Sequence, residues 1–131
     1  MTPEVLFFFN QNPEAIPLYA ALEEKILSEM DDVSIKVSKT QISFSNRRNF
    51  AFVSFLPARK AKDRPETYIT VTFGLGYRVD SPRIDGAVEP YPNRWTHHVL
   101  LSVPEDVTTD LRGWLEQAYA FAQSKGRRRG S

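Results

Sequence analysis

Apolar and polar positions along the chain follow two periods, which divide it into a helical opening, a stranded middle and a helical close. Leu18, Leu22, Ile26 and Met30 recur every fourth residue, with Glu23, Glu24, Lys25 and Glu29 mostly outside that stripe, the spacing of a helix with one buried face. It begins after Asn12-Pro13 or at Pro17. A shorter helix is predicted before it, with Thr2 as its cap, Pro3 in its first position and Val5, Leu6 and Phe9 on one side. From Val33 the period drops to two. Val33, Ile35 and Val37 alternate with polar residues, and Ile42 and Phe44 resume in the opposite phase, so a bend or bulge is expected near Lys39-Thr40.

Ser45 to Asn49 reads as a turn, and Phe50 to Leu56 and Tyr68 to Phe73 as further strands. Gly74 to Arg94 holds three glycines and three prolines with little periodicity, which predicts a long loop, a common place for function. Trp95, His97, Val99, Leu101 and Val103 then alternate against Thr96, His98, Leu100 and Ser102. Leu111, Trp114, Leu115, Ala118 and Phe121 form a last helical stripe, capped by Thr108 or Thr109, with Gly113 expected to let the helix approach the sheet. The fold class is α+β: an antiparallel β-sheet meander flanked by N-terminal and C-terminal helices. Residues 1–124 form one domain, and 125–131, with no apolar side chain, read as a disordered basic tail.

Composition narrows the chemistry. At 131 residues and 41% hydrophobic content the chain can close one core without staples. The absence of cysteine removes disulfides, thiolate nucleophiles and sulfur-ligated metals, and fits a reducing cytoplasm. No basic region precedes the apolar run that ends at Phe9, so it does not read as a signal peptide, and no stretch approaches the roughly 20 apolar residues of a membrane span.

The net charge of +1 conceals a segregation. Met1 to Asp32 sets one lysine against seven carboxylates, whereas Val33 to Arg94 sets eleven basic residues against five acidic ones. Within that basic middle, Lys39, Arg47, Arg48 and Arg94 are the groups suited to phosphate or carboxylate, because a guanidinium binds either in a bidentate manner. The bland alternative is a solvated basic edge that discourages aggregation. Tyr91, Trp95, Tyr77 and Phe50 could add stacking surfaces of the kind single-strand binders use.

His97 and His98 invite a catalytic or metal reading, yet neighbours on a strand point to opposite faces and cannot share one metal. No metal or cofactor is expected. Gly74-Leu75-Gly76 does not extend to a phosphate loop, because Val79 stands where the third glycine belongs.

Leu18 to Glu23, the strand Val37-Ser38-Lys39-Thr40-Gln41-Ile42-Ser43-Phe44, and Pro90 to Val99 with its Trp95-Thr96-His97-His98-Val99 entry resemble the bacterial family called domain of unknown function 5655. The resemblance spans most of the chain. It implies a helix-flanked antiparallel sheet, found alone or beside other domains, with no settled activity and no catalytic set to carry over.

The residues then favour a small non-catalytic binding module with a basic cleft for an anionic small molecule or a nucleic-acid segment. Lys39, Arg47, Tyr91, Arg94, Trp95, His97 and His98 are its expected ligand-binding residues. Two alternatives stand beside it: an enzyme using His97 or His98 as general acid or base, and a protein-interaction or dimer-forming domain.

Overall fold

A computed structural model of the chain describes residues 1–130, with side chains through Ser124. The expectation for the basic tail falls outside the residues described in full. Helix α1 (Pro3–Phe8) starts as the sequence predicts, with the Thr2 hydroxyl accepting the Val5 N–H at 3.3 Å. It buries Val5 and Phe8, and Phe9 follows on a 3-10 turn, while Leu6 faces outward. The expected Val5, Leu6, Phe9 stripe fails at Leu6 because that turn rotates Phe8 and Phe9 inward together. Helix α2 (Ile16–Glu29) buries Leu18, Tyr19, Leu22 and Ile26.

Six strands form one antiparallel sheet in the order β1 (Ser34–Val37), β2 (Ile42–Asn46), β3 (Arg48–Ser54), β4 (Ile69–Leu75), β6 (Arg94–Leu101) and β5 (Gly86–Tyr91). The change of phase near Lys39-Thr40 is a hairpin between two separate strands, closed by Ser38 N–H to the Gln41 carbonyl at 2.9 Å. The bulge falls at Phe44/Ser45 instead. The proposed long loop also needs correction, since its second half is β5. That strand sits on the edge and exposes Val88 to Tyr91, so no apolar alternation marks it.

Ile42, Phe44, Ala51, Val53, Ile69, Val71, Phe73, His97, Val99 and Leu101 share one sheet face, following the register of the four central strands. All are buried under the helices. Tyr19 of α2 stacks on Phe44, and Trp114 of α3 (Thr109–Gly130) stacks on Phe73. Helix α3 is capped by Thr108, whose hydroxyl accepts the Leu111 N–H. Gly113 touches nothing a side chain would meet, so the close approach expected there is absent. The small residues Ala118 and Ala122 are buried instead.

Candidate functional site at one end of the sheet

In an antiparallel meander successive turns alternate between the two ends of the sheet. The β2–β3 turn, the segment leaving β4 and the β5–β6 turn therefore share one end, and the β1–β2 hairpin lies at the other. This parity decides which expected site residues meet. Tyr91 and Arg94 are cross-strand partners at the start of β6, with Trp95 next to them. Arg47 stands at the same end. Lys39 is a strand length away at the opposite end, so the convergence of Lys39 with the arginines does not occur.

The histidines leave the group as well. His97 is fully buried, its ring stacked on Phe73 and its Nε2 accepting the Val79 N–H at 3.0 Å. Burial holds its pKa below the ordinary imidazole value. His98 points to the helix-free face, where its Nδ1 lies 2.9 Å from the Thr72 hydroxyl, and burial lowers its pKa too. Both rings are neutral near pH 7. Neither histidine lines either of the two clefts described below. Phe50 is also buried, its ring edge-on to Tyr119, and offers no stacking surface.

The shared end is built around the C-terminal half of α3. On one flank lies a cleft of about 1030 Å³, lined by Asp31, Asp32, Asn46, Arg47, Arg48, Tyr119 and Gln123. Asn46 braces its floor. Its Nδ2 donates to the Asp31 and Asp32 carbonyls at 3.0 and 3.2 Å and to the Tyr119 hydroxyl at 3.0 Å, while that hydroxyl donates to the Asp31 carbonyl at 2.7 Å. The turn after α2, the β2–β3 turn and α3 are thereby tied at one point. Arg47 and Asp32 both adopt left-handed backbone, φ 65° and 53°, an uncommon state for arginine. At Arg47 it permits the tight β2–β3 turn.

On the other flank, two residues along α3 and so about 200° around it, Phe121 lies 5.9 Å from the Arg94 guanidinium. Gly74 makes this possible, since a Cβ there would occupy the space the Arg94 guanidinium fills. Arg78 lies over the Trp95 ring at 6.0 Å, and Tyr77 hydrogen-bonds to Gln117 of α3. Tyr77 and Tyr91 each remain half exposed.

Four guanidiniums, Arg47, Arg48, Arg78 and Arg94, therefore collect at this end. Among the described residues none of them has a carboxylate within 4.0 Å, and the side-chain ion pairs that do form, Arg59–Asp85 and Arg112–Glu29, lie elsewhere. Asp31 and Asp32 temper the cationic character of the Arg47 flank, and on the Arg94 flank the Glu89 carboxylate accepts the Asn93 N–H at 3.1 Å, one residue before Arg94. Arg78 and the Asp31-to-Gln123 cleft were not anticipated from the sequence. The only signal for Arg78 was its place next to Tyr77 after a strand.

A family model described as domain of unknown function (DUF5655) matches residues 7–122. The chain belongs to that family. No curated protein and no solved structure matches it. This DUF5655 domain has no helix long and apolar enough to cross a membrane among its described residues, and no cluster of three potential metal ligands there.

Proposed function

We propose that this DUF5655 domain is a non-catalytic module that binds a single-stranded nucleic-acid segment across the β2–β3, β4 and β6 end of its sheet. The observation that carries the reading is the set of four guanidiniums at that end with no carboxylate within 4.0 Å among the described residues, two of them beside aromatic rings. Their spread selects the ligand. From β2 to β6 is three strand spacings, about 14 Å, and α3 stands between the two flanks, so an extended anion suits this spread better than a single phosphate or carboxylate. A chain of phosphates spans it. Its bases would stack on the exposed rings of Tyr77 and Tyr91, a contact worth about 1–3 kcal/mol per base in other single-strand binders. A cytoplasmic setting belongs to the same reading, supported by the cysteine-free composition.

Titrating a fluorescently labelled single-stranded oligonucleotide and reading its anisotropy tests this. The double variant Arg47→Ala/Arg48→Ala and the single variant Arg94→Ala should each weaken binding, and Lys39→Ala, at the far end, should leave it unchanged. Binding that depends on Lys39 and ignores the arginines contradicts the proposed site.

A further inference from the structure

We propose that the edge strand β1 and the groove beside it join two copies of this chain about a twofold axis. The sheet has two edges. On β5 the edge is protected, because Pro90 has no N–H to offer and the pairing with β6 slips between Val88 and Tyr91. Strand β1 carries neither device and pairs with β2 without interruption from Ser34 to Val37.

The hairpin bond from Ser38 to Gln41 fixes the alternation along β1. Hydrogen-bonded pairs then fall at Lys36–Ser43 and Ser34–Ser45, which turns the N–H and C=O groups of Ile35 and Val37 away from β2 toward the open edge. Next to that edge, between α1 and the end of β1, runs a groove of about 800 Å³. Phe7, Phe8 and Val37 form its apolar wall, and Glu4 and Lys39 line it as well. Phe7 is 75% exposed, the most exposed of the large apolar side chains.

A second copy fits because the patch complements itself. It holds a protruding ring and an apolar recess, an anion and a cation, and neither Glu4 nor Lys39 has an ion-pair partner among the described residues. A twofold contact sets each feature against its counterpart, Glu4 of one copy against Lys39 of the other. The strand supplies its own match, with Ile35 and Val37 as alternate apolar side chains. The register is restricted too. Pairing Val37 with its symmetry mate places Lys36 opposite Ser38 of the second copy and brings together the two grooves, each of which ends at Val37 to Lys39, whereas centring the axis on Lys36 would oppose two ammonium groups.

Light scattering on the intact chain across a range of concentrations tests the proposal. The mass should approach twice 15.0 kDa as concentration rises. Phe7→Asp should leave a folded monomer. Glu4→Lys and Lys39→Glu should each weaken the dimer by bringing like charges together, and combining them should restore it. Circular dichroism on these surface variants separates lost association from lost folding. A wild-type mass that stays at 15.0 kDa, with or without capture of an unrelated extended peptide, overturns the proposal, as does a combined variant no tighter than the single ones.

Discussion

The rings of Phe73 and His97 lie parallel in the core, their planes 11° apart and their centroids 5.0 Å apart, where the two residues oppose each other on β4 and β6. The Val79 N–H donates to His97 Nε2, which puts the ring's proton on Nδ1, a buried atom with no hydrogen-bond partner among the described residues. Burial therefore dominates and keeps the ring neutral, with the His98 and Arg78 charges adding to it, while backbone groups of Phe73 and Trp95 pull the other way. A second proton would fall on Nε2, breaking the bond to Val79 and placing a charge between Phe73 and the core.

Stability should consequently fall on the acid side. His97 and His98 both have depressed pKa values in the fold, so the unfolded chain binds more protons once the pH drops below about 6.5. Their contribution is complete above that pH and is lost as the pH falls from there through the lower folded values. Thermal melts from neutral pH down to pH near 5 should show this loss before carboxylates such as Asp106 titrate. His97→Phe should remove His97's share of that loss, leaving the one from His98, while costing about 1–3 kcal/mol at neutral pH for the unsatisfied Val79 N–H.

The Asn46 brace should matter for stability as much as for the cleft. Asn46→Ala removes the donor shared by Asp31, Asp32 and Tyr119, at a cost of about 1–2 kcal/mol given that the bonds are only partly shielded from water. Denaturant unfolding would measure it. Tyr119→Phe, which loses one donor and one acceptor at the same point, should cost a similar amount, and the two changes combined should cost less than their sum.

Asp85 anchors the segment before β5. Its carboxylate accepts the Leu100 N–H at 2.8 Å and the Arg59 Nε at 2.6 Å. Asp85→Ala should destabilise by about 1–3 kcal/mol, chiefly through the stranded Leu100 amide, since Arg59 is more than a third exposed and its pairing counts for little. Arg59→Ala should therefore be much milder than Asp85→Ala in the same unfolding measurement.

Gly74→Ala separates site from fold. The new methyl must displace the Arg94 guanidinium, the far end of a flexible side chain, so the melting temperature should change little. Oligonucleotide affinity should drop toward that of Arg94→Ala.

Much of the fold was legible because its signals are local. The capping Thr2 and Thr108, the fourfold spacing of Leu18 to Ile26 and the alternation of β6 each report burial directly. β5 was not legible, since an exposed edge strand has no apolar face to display. The site was legible only in part. Tyr91, Arg94 and Trp95 lie close in sequence and stayed together, but Lys39 and Arg47, eight positions apart, are sent to opposite ends by the intervening strand. Alternation placed His97 and His98 on opposite faces correctly; which face the helices cover is a tertiary fact that no period contains.

The salt dependence of oligonucleotide binding tests the central claim most directly. For single strands the logarithm of affinity falls with the logarithm of salt by about 0.7 per phosphate neutralised. The account predicts a clear negative slope for the intact chain, made shallower by about that amount for each of Arg47, Arg48, Arg78 and Arg94 replaced by alanine. An affinity that does not respond to salt, or a slope unchanged when all four are removed, would contradict it.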